Sequence, residues 1–179
     1  MMAMTNPQAG RFWKIILIDI LIAALIAFFL INYVMSAFRI EGDSMEPLLV
    51  EGDRVLISKL FLERKPFERF DLVVLYKPDD PENSVIKRII ALPEETVEIR
   101  KGEVLINDRP LKEPFLPAMT PAAPTDFPAL LIPKGHYFVM GDRRDTSRDS
   151  RTFGPVPGKY IFGRAMLRYW PFARFGHIE

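Results

Sequence analysis

The sequence has no cysteine and only two histidines among its 179 residues. Without cysteine the chain forms no disulfide bond and offers no thiolate ligand to a metal ion. The two histidines, His136 and His177, lack the spacing of a metal site or of a catalytic triad. We therefore predict no metal ion or other cofactor, and a hydrolase built from this chain needs a base other than histidine.

The chain also lacks an excess of charge of either sign. Its 24 basic and 23 acidic residues leave a formal net charge of +1, so the composition indicates no nucleic-acid partner. A length of 179 residues fits one domain with a short accessory segment.

One apolar run near the N-terminus is long enough to cross a membrane. As a helix, residues 15–38 would be about 36 Å long, and the hydrocarbon core of a bilayer is about 30 Å thick. The alternatives are a cleaved signal peptide, whose apolar core is usually only about 7–15 residues long, and a buried helix of a soluble domain. We predict a short tail at 1–14, a single transmembrane anchor at 15–38 and one further domain at 39–179.

Short β-rich runs follow the anchor, and no helical period of useful length appears among them. Lys101-Gly102 separates two of the runs and is typical of a tight hairpin. We therefore predict a mainly β, antiparallel-rich and barrel-like domain. The predicted strands lie at 55–57, 72–76, 85–91, 96–100, 103–107, 137–140 and 161–170.

Residues 110–133 contain seven prolines at short intervals. Proline cannot donate a hydrogen bond to a strand ladder, which excludes a central strand here. We expect an extended surface excursion and no separate domain.

Ser44 lies in a turn-like sequence soon after the apolar run. Gly42 permits unusual backbone angles and a close approach by a substrate, and Pro47 favours an extended conformation at Glu46. Such a turn could present the serine hydroxyl as a nucleophile. The alternative is a polar turn residue without chemistry, and a serine near a glycine is weak evidence by itself.

Lys87 lies within an apolar, strand-like run. Residues two apart in a strand share a face, so Val85 and Ile89 would flank the lysine. Apolar surroundings lower the pKa of a lysine from about 10.4, and a neutral amine can take the proton of a serine hydroxyl. Lys59 has apolar neighbours at the same spacing, and either lysine could be an edge residue whose amine reaches water. The local pattern does not choose between the two lysines.

Residues 141–151 combine three acidic and four arginine side chains. The spacing of the acids does not match a calcium loop, and a phosphate site would not explain so many carboxylates. Internal ion pairs that brace a loop fit this stretch better. The alternative is a solvated surface loop.

Taken in order, these motifs resemble the bacterial type I signal (leader) peptidases over nearly the whole chain. Each motif alone is moderately specific, whereas five in the family's order are highly specific. After the apolar run, the matching segments are Ser44 to Pro47, Gly52 to Lys59, Asp71 to Val74, Lys87 to Pro93 and Gly141 to Arg151.

The resemblance implies a serine endopeptidase that removes signal peptides from translocated preproteins. Ser44 would be the nucleophile, Lys87 the general base and Ser147 the residue that orients the lysine amine. The implied structural supports are Arg88 paired with Asp142, and Asp149 paired with Arg151. The implied substrate-binding residues are Phe38, Ile40, Met45, Val85 and Ile86, on two strands that would hold an extended substrate by strand addition.

The chain departs from the family pattern at several positions. Gly42 stands where some members carry a second hydroxyl of the oxyanion hole, so the hole would depend mainly on the Ser44 backbone N–H. Asp43 replaces a frequent glycine, and Arg143 and Thr146 stand where asparagine is frequent. The large second domain of some members is absent, and residues 110–133 would be its remnant.

The implied partners are preprotein signal peptides, the lipid bilayer and a secretion translocon. The implied location is the bacterial cytoplasmic (inner) membrane, crossed once, with the catalytic domain on the extracytoplasmic side. Three alternatives stay open. They are a self-cleaving Ser/Lys repressor protease, although no DNA-binding helical domain is evident, a membrane-anchored β-domain that binds peptides without catalysis, and a processing enzyme for one dedicated substrate.

Overall fold

A long helix precedes two antiparallel β-sheets in the computed structural model. The structure describes residues 7–29, 35–59, 66–117, 120, 123 and 125–178. This arrangement confirms the predicted mainly β fold with one apolar helix near the N-terminus.

Helix α1 spans Pro7–Phe29. By length and composition Phe12–Phe29 could cross a membrane, and none of these residues is buried against the rest of the protein, unlike a helix of a soluble core. The predicted helix at 15–38 is wrong at its C-terminal end, because Met35–Arg39 forms a strand. Residues 30–34 lie outside the described part. A short run of apolar residues suits a half-buried strand as well as a helix, so its periodicity is ambiguous.

The described residues form twelve strands, and each of the seven predicted runs overlaps one of them. In chain order they are β1 (Met35–Arg39), β2 (Arg54–Ser58), β3 (Leu72–Lys77), β4 (Asp80–Ala91), β5 (Thr96–Arg100), β6 (Glu103–Ile106), β7 (Arg109–Pro110), β8 (Phe127–Leu131), β9 (His136–Met140), β10 (Val156–Pro157), β11 (Ile161–Trp170) and β12 (Gly176–His177). A four-residue helix, α2 (Ser150–Phe153), lies between β9 and β10.

The strands divide between a larger and a smaller sheet. The larger sheet has the order β1-β2-β11-β3-β4-β9-β10, with β12 beside β11, and the smaller has the order β7-β6-β5-β8. Within the smaller sheet, Lys101 and Gly102 form the predicted hairpin turn, with φ angles of 52° and 79°. Positive φ at both positions is what a two-residue hairpin of type I′ requires.

The proline-rich segment contributes to the fold more than we predicted. Strand β8 lies within it and pairs with β5 at the edge of the smaller sheet. The strand contains Pro128, which an edge position tolerates because one side of the strand needs no ladder. Ile132 is fully buried and packs in an apolar cluster with Val97, Phe138 and other residues. A surface excursion is therefore the wrong description of residues 127–132.

Candidate active site

Ser44 lies in a loop between β1 and β2 that is closed at its base by backbone hydrogen bonds. The Ile40 N–H donates to Asp53 O at 2.8 Å, and the Gly52 N–H donates to Ile40 O at 2.9 Å. Gly42 has a φ of 79°, in the left-handed region that glycine adopts without strain. Met45 is fully buried in the apolar core, so the residue after Ser44 anchors the loop while Ser44 itself stays half-exposed.

Lys87 lies in the second half of β4 and reaches the serine. Its Nζ lies 2.6 Å from Ser44 Oγ, within hydrogen-bond distance. Val85 and Ile89, two residues away on either side, belong to one apolar cluster together with Val73, the cross-strand partner of Lys87. The lysine stem is therefore surrounded by apolar side chains, and only 2% of the residue is exposed.

This burial controls the protonation of the amine. Desolvation disfavours the ammonium form and lowers the pKa of Lys87 to about 8. The nearby carboxylates of Asp149, Asp142 and Asp43 act in the opposite direction, whereas Arg151 adds to the lowering. The result is an amine that is neutral in a substantial fraction of molecules under mildly alkaline conditions, as a general base must be.

The structure separates Lys87 from Lys59, which the sequence pattern could not do. Lys59 directly follows β2, beyond the point where Ser58 pairs with Met35 at the start of β1. Ser44 follows the opposite end of the same ladder, after Arg39. Five paired residues of strand correspond to roughly 17 Å, so Lys59 lies well away from the serine hydroxyl.

Arg88, the neighbour of Lys87, forms a buried two-pronged ion pair with Asp142. The Arg88 Nε donates to Asp142 Oδ1 at 2.9 Å and the Nη2 donates to Oδ2 at 2.8 Å, with both side chains 1% exposed. A third donor, Nη1, reaches Phe70 O at 3.0 Å, and the guanidinium lies 4.0 Å from the centre of the Phe115 ring. Buried charges of this kind need such complete pairing, and the pair ties β4 to the loop after β9.

Asp149 organises the same loop from its other end. Its Oδ2 accepts hydrogen bonds from the Gly141 N–H at 3.0 Å and from Arg151 Nη2 at 2.8 Å, and its Oδ1 accepts from Arg151 Nε at 2.8 Å. Asp149 also caps the N-terminus of α2. The contacts between the predicted supporting residues, Arg88 with Asp142 and Asp149 with Arg151, are thus present.

Ser147 lies beside the site, but the structure does not join it to Lys87. Its hydroxyl oxygen is buried and has no hydrogen-bond partner among the described residues. Gly141 lies against both Ser147 and Ser44, since a side-chain carbon at position 141 would collide with Ser147 Oγ and with Ser44 O. Glycine is therefore the residue that lets the two serines approach each other. Sequence reasoning included Gly141 in a motif without giving it this role.

A groove of about 300 Å³ runs past Ser44 between the chain around β1 and the first half of β4. Three of the five predicted substrate-binding residues line it, namely Phe38, Val85 and Ile86. Ile40 and Met45 do not line it, because both are buried in the core beneath the loop. At Ile40 the chain has already turned into the hydrogen-bonded base of the loop, which directs its side chain inwards.

Three further ionic contacts around the site escaped sequence reasoning. Asp53 is fully buried and pairs with Arg168 and Arg174, which attaches the base of the Ser44 loop to β11 and to the segment that follows it. Arg144 pairs with Glu113 of the proline-rich segment and donates to Gly141 O at 3.0 Å. The third contact set belongs to Arg143, which pairs with Asp43 and Glu46. The only sequence signal for these contacts was the large number of arginines, which does not show which acidic residue each arginine pairs with.

Within the described residues, no group of three or more His, Asp and Glu side chains is arranged to hold a metal ion. The chemistry available at the site is that of a hydroxyl, an amine of lowered pKa and the backbone amides around them.

Comparison with known proteins decides the family. The family model described as signal peptidase, peptidase S26, matches residues 13–170. The chain belongs to this family of signal peptidases. The resemblance seen in the motifs is thereby confirmed, and membership of a serine peptidase family agrees with a serine hydroxyl in contact with a buried lysine.

Curated relatives cover almost the full chain. A protein named probable signal peptidase I-1 from Synechocystis sp. is 35% identical over 185 residues, which cover 98% of this chain and 93% of the relative. The signal peptidase IB of Staphylococcus aureus is 30% identical over 178 residues, covering 90% of this chain and 91% of the relative. The crystal structure of a signal peptidase I from Enterococcus faecalis is 35% identical and covers 56% of this chain and 97% of its own, with a TM-score of 0.49.

Proposed function

We propose that the protein is a membrane-anchored signal peptidase that removes N-terminal signal peptides from preproteins with a dyad of Ser44 and Lys87. The observation that carries the proposal is the 2.6 Å contact between Lys87 Nζ and Ser44 Oγ. An activated serine needs a base within hydrogen-bond distance and a base that can accept its proton. The buried amine, with a pKa of about 8, meets both requirements.

The reaction follows from these two groups. Neutral Lys87 takes the proton of Ser44 as the hydroxyl oxygen attacks the carbonyl carbon of the scissile peptide bond. The resulting ammonium group returns the proton to the leaving amine when the C–N bond breaks, which leaves an acyl ester on Ser44. Lys87 then takes a proton from a water molecule as the water oxygen attacks the ester carbon, and it returns this proton to Ser44 Oγ when the ester C–O bond breaks.

The developing oxyanion needs a hydrogen-bond donor. Among the hydrogen bonds of the described residues, none uses the Ser44 N–H as donor, so this amide is available to bind the oxyanion. One such donor is worth about 3–4 kcal/mol of barrier lowering. Ser147 is our proposed orienter of the Lys87 amine, since a buried hydroxyl without a partner is costly and its oxygen can accept an N–H of the amine while the amine lone pair faces Ser44.

The groove past Ser44 suits an extended peptide. Phe38 comes from β1, and Val85 and Ile86 come from β4, so the substrate would add as a strand between two existing strands. Substrates of this kind would present small residues at positions −1 and −3 of the cleavage site.

The exposed apolar helix supports a membrane location. Helix α1 has the length and composition to cross a bilayer once, and cleavage sites of translocated preproteins lie at the membrane surface. We propose the bacterial cytoplasmic membrane, with the catalytic domain on the extracytoplasmic side and the preprotein delivered by a secretion translocon.

Two substitutions test the dyad. The full-length protein and its Ser44→Ala and Lys87→Ala variants would be incubated with a preprotein and the processed product quantified. We expect processing by the unchanged protein and a loss of at least about a thousandfold in each variant, since both groups act in one step. Full activity in either variant would contradict the dyad.

A peptide-binding domain without catalysis is the main alternative from another class. A serine-directed acylating reagent should modify Ser44 only if the serine is activated, and mass spectrometry of the labelled peptide would locate the adduct. A panel of preproteins from several secreted proteins would then separate a general peptidase from one dedicated to a single substrate.

A further inference from the structure

Arg143 contacts both acidic residues that flank the nucleophile. Its Nη1 donates to Asp43 Oδ2 at 2.7 Å and to Glu46 Oε2 at 3.0 Å. Asp43 directly precedes Ser44, and Glu46 follows it by two positions. One guanidinium therefore bridges the turn that presents the serine hydroxyl.

The backbone of Arg143 holds the same turn. Its N–H donates to the carbonyl oxygen of Ser44 at 3.1 Å. Arg143 also directly follows Asp142, whose ion pair with Arg88 fixes the position next to Lys87 on β4. Arg143 thus connects the loop that carries the nucleophile with the loop that braces the base.

The exposure of these side chains indicates that their contacts do little to stabilise the fold. The side chains of Arg143 and Asp43 are 37% and 50% exposed, and ion pairs this exposed contribute little to folding stability. A small displacement of a reacting atom, however, can lower a rate by about a hundredfold. The contacts of Arg143 therefore matter more for the position of Ser44 than for the stability of the fold.

We propose that Arg143 is a positioning residue that holds Ser44 within reach of Lys87 by clamping Asp43 and Glu46. The proposal rests on the proposed Ser44 and Lys87 chemistry and not on the nature of the substrate. Sequence comparison with the family pattern had marked both Asp43 and Arg143 as departures, and the structure shows that these two residues are partners of opposite charge.

The clamp also has an electrostatic consequence. The charged groups that act on Lys87 are Asp149, Asp142 and Asp43, which favour its ammonium form, and Arg151, which opposes it. Arg143 partly neutralises the Asp43 carboxylate. Without Arg143 that carboxylate acts on Lys87 uncompensated and raises the pKa of the amine, whereas without the Asp43 charge the pKa falls.

The rate at which a small serine-directed acylating reagent modifies Ser44 tests the clamp, because this rate does not depend on any preprotein. It would be measured on the full-length protein between about pH 6 and pH 10, together with thermal unfolding. For Arg143→Gln we expect a rate about tenfold lower at its maximum and a pH midpoint displaced upwards. For Asp43→Asn we expect a midpoint displaced downwards. The opposite displacements are a signature that a general loss of structure does not produce.

Two further variants complete the design. Arg143→Lys keeps the charge without the planar fork, so it should restore the midpoint and only part of the rate. Arg100→Gln removes an exposed arginine that pairs with Glu98 on the smaller sheet, and it should change neither quantity.

The outcomes separate the clamp from the proposed function. If Arg143→Gln leaves both the rate and the pH midpoint unchanged, the clamp is overturned. The clamp is also overturned if the variant loses rate and unfolds at a lower temperature while its pH midpoint stays in place. Wild-type protein that is acylated at Ser44 with the expected variant pattern, but cleaves no preprotein, supports the clamp and overturns the proposed substrate. Acylation that is independent of Lys87 overturns both.

Discussion

The two sheets of this protein bury different kinds of side chain. In the smaller sheet, every buried side chain of the described strands β5 to β8 is apolar, as Val97, Ile99 and Val104 illustrate. The larger sheet and the loop after β9 bury Lys87, Arg88 and other charged residues at equal depth.

The buried charges of the larger sheet mark where the chain departs from what folding alone requires. An apolar side chain gains free energy when it leaves water, so the smaller sheet needs no explanation beyond packing. A buried charge costs free energy unless it is paired. Arg88 and Asp142 offset that cost by pairing with each other. Lys87 instead contacts the Ser44 hydroxyl and forms no ion pair with a carboxylate among the described residues. The buried amine that lacks a carboxylate contact is the one we assign to chemistry.

Removal of Asp142 should have the largest effect on stability. Asp142→Ala leaves the Arg88 guanidinium buried without its counter-ion, and a broken buried pair costs about 3–5 kcal/mol. Chemical denaturation monitored by circular dichroism would measure the loss. Glu98→Ala is the matched control, because it removes the partner of an arginine that is 58% exposed, and it should cost less than about 1 kcal/mol. Equal losses in the two variants would remove the distinction between the two sheets.

A core truncation in the smaller sheet should affect stability alone. Ile99→Ala removes a side chain that is 1% exposed, and such truncations cost about 2–5 kcal/mol. The processing rate per folded molecule should stay unchanged, measured below the unfolding temperature of the variant. A rate loss in fully folded Ile99→Ala would place part of the catalytic machinery on the smaller sheet.

Replacement of the lysine should stabilise the fold while it abolishes activity. The folded-state pKa of about 8 lies below the usual lysine value of 10.5, so the unfolded chain binds more protons between these values and wild-type stability rises across that window. Below about pH 8 the buried ammonium costs the fold about 3 kcal/mol, since one unit of pKa corresponds to about 1.4 kcal/mol. Lys87→Met should therefore be more stable than the wild type near neutral pH, by about that amount.

The difference in stability between Lys87→Met and the wild type should also depend on pH. The stability advantage of Lys87→Met should shrink as the pH rises from about 8 towards about 10.5, because wild-type Lys87 is already neutral in the folded state while protonation of the unfolded chain becomes steadily less favourable. An advantage that does not change with pH would mean that burial of the charge is not the cause.

Much of this architecture could be predicted because it depends on local patterns. Short β-rich apolar runs predicted the strands, and Lys101-Gly102 predicted the hairpin, since both signals lie within a few neighbouring residues. The end of helix α1 could not be predicted in this way. Residues 35–38 suit a helix or a strand by composition, and only their pairing with β2 decides for a strand.

The active site required information that lies far apart in the chain. Lys87 and Lys59 have the same local pattern, and the choice depends on which one approaches Ser44 across 43 residues of sequence. Arg143 meets Asp43 across 100 residues, which no local rule can anticipate. The proline-rich segment was underestimated because proline forbids central strands but allows the edge strand that β8 forms.

The central claim is that neutral Lys87 activates Ser44. The measurement that tests it most directly is the pH dependence of kcat/KM for preprotein cleavage by the full-length protein, because this quantity reports the pKa of the essential base in the free enzyme. We expect a rate that rises with pH through a midpoint near the lowered pKa of Lys87, about 8. A rate that stays constant between about pH 6 and pH 9 would contradict a lysine base.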